Sequence, residues 1–521
     1  MAEFQRASGV LLHPTALPDS HGIGTLGTAA INFLDWLQSA GQSYWQICPL
    51  IPTGYGNSPY QGLCAFAGNP NLIDLEELVA LKLLQGEELD PLKRLPETYV
   101  DFSLLIPKKK KLLHQAWVRF SMGEGPGQLA EELESFRTSQ SHWLEDFCMF
   151  MVLKDRNDGY SWDKWEREPR LRDKKSLEML RDASEFQYHL FVQFLFFHQW
   201  RKIRNEARLR SIKIIGDLPI FVAFDSSDCW ANPQLFQLDS NYLPARVAGV
   251  PPDYFSPTGQ LWGNPLYDWD KMAELDFSWW ISVLRNKLEQ YDVLRIDHFR
   301  GFCAYWSVPF GEKTAVNGSW MRAPGRELFS LIREKLGELP IIAEDLGFIT
   351  EDVVKLIEDC GFPRMKVMQF AFSLSEGDNY LPHNYDKRSV VYTGTHDNDT
   401  TAGWFENAAE CDRSKVIDYL NLDENSDAKA VTEAMLRAAI TSVANLVIFP
   451  LQDILGLGSQ ARFNTPGTLG DNWIWRAPKK SFSSAKAEHL RKLCKIYGRL
   501  NHSQNAGATD SGTNHRSLTA Q

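Results

Sequence analysis

A chain of 521 residues with 44% hydrophobic and 23% charged side chains has the make-up of a soluble globular protein, too long for one minimal core and neither disordered nor membrane-embedded. No apolar run is long enough to span a bilayer, and a formal net charge of −11 repels a phosphate backbone, so neither a membrane nor nucleic acid is an expected partner. The eight cysteines are scattered, with no CxxC pair and no Cys/His ligand spacing, which points to reduced thiols in a reducing compartment and against structural zinc.

The first residues, Met1 to Arg6, carry neither the apolar stretch of a secretory signal nor the Ser/Arg-rich composition of a transit peptide. The expected location is the cytoplasm, or the plastid stroma if a transit peptide has been removed. Short apolar, β-branched-rich runs then recur along the chain, most of them followed by helical periodicity. The first two, 9–17 and 43–50, flank a helix predicted over 29–40. A helical, charged insertion of about 72–211 follows; it contains Lys108 to Lys111, read as a solvated loop, and a long helix predicted over 177–210. The third strand, 212–220, leads into a second insertion, 221–291, rich in Pro, Gly, Asn, Tyr and Trp and ending in a helix predicted over 279–291. Beyond the fourth strand, 292–299, a third insertion, 302–339, is read as loops and helices, with a helix over 325–339. The remaining strands are 340–346, 365–372, 389–397 and 446–455, with helices over 351–360, 427–445 and 485–500.

Strands alternating with helices imply a parallel sheet, and eight repeats imply an α/β chain folded as a closed (β/α)8 TIM barrel with large inserted, mainly helical subdomains. Such a barrel needs about 250 residues, so the surplus belongs to the insertions. One catalytic unit is expected over 1–501, followed by a disordered polar tail, 502–521.

In these barrels chemistry sits at the C-terminal ends of the strands, and here the strands end in acids. The third gives Asp217, the fourth Asp297, the fifth Glu344 with Asp345, and the seventh His396 and Asp397. One such Asp alone also starts a loop or caps a helix. Several converging on one mouth repel each other, and that arrangement raises the pKa of at least one of them. Arg295, two residues before Asp297, faces the same side of its strand and is expected to hold Asp297 ionised, as a nucleophile requires. Glu344, among acids and apolar strand residues, is expected to stay protonated. One ionised carboxylate facing one protonated carboxyl is the machinery of retaining glycoside cleavage. His396 and Asp397 read as clamps on sugar hydroxyls; a second His/Asp cluster at metal-ligand spacing is missing, so no metal is expected.

Aromatic residues in the loops suit the apolar C–H face of a pyranose. Tyr254, Phe255 and Trp262 lie in 247–267, Tyr60 in 57–61, and a further Gly- and aromatic-rich segment is 461–476. The Gly/Pro-rich stretches are expected to act as lids.

Taken together, SPYQ with AFAGNP, GDLPIFVA, VPPDYFS with GQLWGNPLYDW, LRIDHFRG, IIAEDLG, GTHDNDT, and LGLGSQARFNTPGT with NWIWR make the chain resemble the amylomaltases, also called disproportionating enzymes or 4-α-glucanotransferases, of glycoside hydrolase family 77, closest to the plant-type branch. The resemblance runs over 9–500, and no motif departs at a catalytic position. It implies Asp297 as nucleophile, Glu344 as acid/base, and Asp397 as the carboxylate that binds and distorts the reacting glucose. Arg295, His396 and Asp217 would support them, Tyr60 and Trp262 would stack on neighbouring sugars, and Asn464 would lie in a lid. The implied activity moves α-1,4-glucan segments from a donor to glucose or a malto-oligosaccharide, without a cofactor. Two rivals are an α-amylase-type hydrolase using the same acids, and a non-catalytic glycan-binding barrel, whose expected mark is loss of a strand-end acid.

Overall fold

The computed structural model describes residues 4–252, 256–373 and 377–500. Its strands are β1 (Ala7–Leu11), β2 (Tyr44–Gln46), β3 (Lys213–Leu218), β4 (Arg246–Val250), β5 (Gln260–Pro265), β6 (Val293–Ile296), β7 (Ala304–Pro309), β8 (Ser319–Arg322), β9 (Ile341–Ala343), β10 (Met365–Val367), β11 (Val390–Tyr392) and β12 (Leu446–Pro450). Eight of them form one parallel sheet in the order β10-β11-β12-β1-β2-β3-β6-β9. A parallel bridge from Ala343 to Arg364 joins its two edges, where the Ala343 N–H donates to the Pro363 carbonyl at 3.1 Å. The sheet is therefore a closed barrel whose strands follow one another around it in chain order, as a (β/α)8 fold requires.

Each predicted strand overlaps one barrel strand, the first starting two residues late at Gly9 where β1 begins at Ala7, and each overruns its barrel strand's C-terminal end. The overrun has a physical cause: beyond the barrel wall the chain leaves its neighbours and turns into the mouth, although its apolar composition continues. Within the barrel, inward side chains such as Leu11, Ile215, Val293, Ile342, Val367 and Ile448 pack on one another. Alternate residues such as Val10, Trp45, Ile214 and Leu294 point outward into the helical layer, so the strands are apolar on both faces. Gly216 belongs to this design. A Cβ there would lie 2.2 Å from the Tyr291 ring, so glycine lets that ring pack behind the strand that carries Asp217.

The segment between β2 and β3 is helical, with Phe102–Ser121, Gln128–Ser139, Ser141–Arg156 and Ser184–Leu209 as its longest members. The long helix predicted over 177–210 is broken: Lys174–Arg181 ends before Ala183, which is extended (φ −72°, ψ 142°) and starts Ser184–Leu209. Lys108 to Lys111 are not a loop but part of the helix Phe102–Ser121. Lys109 is buried, its Nζ donating to the Asn71 carbonyl at 2.6 Å.

The segments read as loops and helices around β6 contain a second sheet, antiparallel, in the order β5-β4-β7-β8. Its strands are short and interrupted by Gly and Pro, and β8 is exposed along its whole length, so periodicity gives no sign of them. The tail 502–521 lies outside the described residues. Among the described residues no helix is long and apolar enough to cross a membrane.

Candidate active site

Asp217 and Arg295 are partners in the pairing of β3 with β6. Asp297 and Glu344 each stand one residue past a second register pair, Ile296 and Ala343 of β6 and β9. Their backbones still belong to the barrel ladder: the Asp297 N–H donates to Leu218 at 3.0 Å and the Glu344 N–H to Ile296 at 3.1 Å. The strands thus set the spacing of these groups while leaving the last side chains free to face the mouth.

Arg295 is buried among carboxylates. Its Nη1 reaches both Asp217 oxygens, at 2.8 and 2.6 Å, and its Nη2 reaches Asp297 Oδ1 at 2.9 Å. The Tyr60 hydroxyl donates to Asp217 Oδ2 at 2.7 Å. Burial pushes the Asp297 carboxyl up to about 6, with Asp217 and Asp397 adding to the rise and Arg295 opposing it. Glu344 is driven further, to about 8, by burial and then by the charge of Asp297. Backbone N–H groups hold it in place: Leu346 donates to Oε1 at 2.7 Å and His298 to Oε2 at 2.6 Å. The larger rise at Glu344 favours a proton there while Asp297 is ionised.

Asp397 behaves in the opposite sense. Burial pushes it up, but the charge and hydrogen bond of His396, with the Asn464 amide, outweigh burial and hold it at about 2. His396 Nε2 lies 3.3 Å from Asp397 Oδ1 and Asn464 Nδ2 donates to the same atom at 2.6 Å. Burial lowers the basicity of His396, and Asp397 more than restores it. Asp397 nevertheless keeps 42% of its side chain accessible, so an acceptor whose ionised form is favoured faces the mouth. Such a group, beside an ionised and a protonated carboxyl, can bind sugar hydroxyls while the other two exchange a proton and an electron pair with a glycosidic bond.

The remaining residues singled out in the sequence take distinct places. The Tyr60 ring stacks on His396 at 5.1 Å and 13°, so this residue braces two site residues. Trp262, on β5, is half-buried and meets the His298 ring edge-on at 4.8 Å. Asn464 is buried, its amide bonded to Asp397 and its backbone N–H donating to the His396 carbonyl at 3.1 Å. Tyr254 and Phe255 lie outside the described residues.

Sequence reasoning missed several contributors. His298 adopts a left-handed backbone (φ 49°, ψ 49°) that turns its N–H onto Glu344; its place directly after Asp297 was the available signal. Arg462 donates to the Asp397 carbonyl at 2.7 Å, and Trp473 packs beside both Tyr60 and His396. His13, just past β1, is buried with Nδ1 unpartnered among the described residues, and burial first, then His396, holds it near 3. Among the described residues no group of three or more His, Cys, Asp or Glu side chains is arranged to hold a metal.

A family model described as 4-alpha-glucanotransferase, glycoside hydrolase family 77, matches residues 12–481. The 4-alpha-glucanotransferase of Synechocystis sp. is 47% identical over 500 residues, covering 95% of this chain and 98% of its own. The chloroplastic/amyloplastic 4-alpha-glucanotransferase of Solanum tuberosum is 44% identical over 507 residues, covering 95% of this chain and 87% of its own. Among solved structures, the amylomaltase from Streptococcus agalactiae in complex with acarbose superposes with a TM-score of 0.91 at 39% identity, covering 95% of this chain and all of that one.

Proposed function

The chain belongs to glycoside hydrolase family 77 and is a 4-α-glucanotransferase, and from that premise we propose that it works by double displacement, with Asp297 as nucleophile, Glu344 as acid/base and Asp397 as the clamp on the reacting glucose. Glu344 gives its proton to the glycosidic oxygen as Asp297 attacks the anomeric carbon; the bond to the leaving chain breaks and a β-glucosyl ester forms on Asp297. Glu344, now ionised, takes the proton of an incoming 4-hydroxyl, whose oxygen attacks the same carbon. A new α-1,4 bond forms and Asp297 is released.

The observation that carries this assignment is geometric: Arg295 Nη2 lies 2.9 Å from Asp297 Oδ1, while Glu344 is buried, held by the N–H groups of His298 and Leu346, and its carboxyl is raised above that of Asp297 by burial and by the charge of Asp297. It leaves the nucleophile charged and the acid protonated at neutral pH. Arg295 and Asp217 support the nucleophile, while His396 and Asn464 fix the clamp. Tyr60 and Trp262, with Tyr254 and Phe255, supply ring surfaces for the sugars on either side of the bond.

The substrates in this reading are an α-1,4-glucan donor, either a malto-oligosaccharide or a starch- or glycogen-type polymer, and glucose or a malto-oligosaccharide as acceptor. Placement in the cytoplasm or the plastid stroma fits this substrate class, and the potato relative is named as chloroplastic/amyloplastic. Incubation with maltotriose, resolved by chain length, tests the reading: transfer gives glucose and a ladder of longer chains. Glucose and maltose without longer products would mean that water is the acceptor.

A further inference from the structure

One edge of the small sheet carries an aromatic pair that the acid chemistry does not use. Trp320 on β8 is in register with Trp306 on β7, their rings 5.3 Å apart and nearly perpendicular. Trp306 is fixed from below, its Nε1 donating to the Ala315 carbonyl at 2.8 Å. Gly318 lets the turn close over that ring, because a Cβ there would stand 2.1 Å from Nε1. Phe348, in the loop after Glu344, brings its own ring to 6.5 Å from Trp320 and within 24° of parallel.

Buried Arg300 ties the pair together. Its guanidinium carbon lies 3.8 Å from the Trp320 ring centre and 5.6 Å from that of Phe348, and its Nη1 donates to the Phe348 carbonyl. Even so, Trp320 is 37% and Phe348 64% exposed. Rings held in this way have lost conformational freedom while keeping apolar surface in water, a combination that costs stability and marks a binding surface.

We propose that Trp320 and Phe348 form an acceptor-side subsite on which a glucose unit of the departing or incoming α-1,4-glucan stacks, an inference that rests on the glucanotransferase mechanism above. Both of its anchors belong to the turns that hold the reacting carboxyls. Arg300 lies in the turn Phe299–Phe302 that follows Asp297, and Phe348 comes shortly after Leu346, whose N–H holds Glu344. Glu344 serves the glycosidic oxygen, so its loop borders the side on which one chain leaves and the next enters. A flat, neutral, apolar surface suits the C–H face of a pyranose. Arg300 does not call for an anion there, because it is buried, its guanidinium lies against the Trp320 ring, and Asp352 is the carboxylate whose charge acts on it.

The test compares acceptors with one donor. With maltotriose as donor, the ratio of kcat/KM for maltoheptaose to that for glucose is measured in wild type, Phe348→Ala, Trp320→Ala and Trp320→Phe. Stacking of this kind is worth about three- to tenfold, so the ratio falls by that factor in both alanine variants and is largely restored in Trp320→Phe. Phe348 is mostly exposed, so its variant folds even if Trp320→Ala does not. An unchanged ratio in Phe348→Ala, or an equal loss for glucose and maltoheptaose, overturns the subsite. Absence of any transfer product from wild type would instead remove the mechanism on which the subsite rests.

Discussion

Glu344 takes one of its two backbone hydrogen bonds from His298, the residue directly after Asp297, at 2.6 Å. A single peptide unit therefore links the turn that carries one carboxyl to the side chain of the other. The Glu344 carboxyl is thereby tied to the turn that follows Asp297, while Arg295 holds the Asp297 carboxyl itself.

The first consequence is a bell-shaped pH dependence of kcat/KM, which reports the free enzyme. As the proposed nucleophile, Asp297 acts when ionised, so activity should be lost as pH falls through about 6. Glu344 acts when protonated, so activity is lost as pH rises through about 8. Glu344→Gln should lower the rate by about 10²- to 10⁴-fold and abolish the alkaline limb. A surviving alkaline limb in that variant would assign the acid to another group.

Buried Arg295 neutralises two carboxylates at once, that of buried Asp217 and that of half-buried Asp297. Removing one partner of such a cluster costs about 3–5 kcal/mol, so Arg295→Met should unfold at markedly lower denaturant. Because Arg295 opposes the rise in the Asp297 pKa, any folded Arg295→Met protein should show its acid limb moved to higher pH. A folded variant with an unmoved limb would mean that Arg295 is structural only.

Asn464 separates two accounts of its loop. A hydrogen bond to a charged group is worth about 1.5–3 kcal/mol, so loss of the 2.6 Å bond to Asp397 in Asn464→Ala should lower kcat/KM by roughly 10- to 100-fold, for transfer and hydrolysis alike. If kcat/KM holds and only hydrolysis rises, the loop is a lid after all.

Trp262 bears on the choice of acceptor. Transfer outcompetes water only when the acceptor is oriented, and well-positioned groups reach effective molarities of about 10⁵ M or more. Trp262→Ala should therefore depress transfer more than hydrolysis on maltotriose, raising the ratio of reducing ends formed to glucan transferred. An equal fall in both would place Trp262 with the donor, or with the His298 turn against which it packs.

The sequence discloses what is periodic and what is punctuated by acids. All eight barrel strands are legible because both faces are apolar, and the acids at their ends stand out against that background. The small antiparallel sheet is not legible: every residue of β8 is exposed and β5 contains Gly263 and Pro265, so no alternation survives. Site residues are visible where the strand itself delivers them, as with Asp297. They are hidden where tertiary folding does: Arg462 reaches the Asp397 carbonyl from a loop after β12, and nothing in its local sequence points back to β11, while Asn464 of the same loop is singled out through the family resemblance alone. His13 shows the same limit, since its approach to His396 exists only once the barrel closes.

The most direct test of the central assignment is to trap the intermediate. In Glu344→Gln an α-glucosyl fluoride, whose leaving group needs no proton, can still load the nucleophile, while the missing base slows release. Peptide mapping by mass spectrometry should then find a glucosyl ester on Asp297. An ester on Asp397 or any other residue, or release of β-glucose with no adduct at all, would contradict double displacement through Asp297.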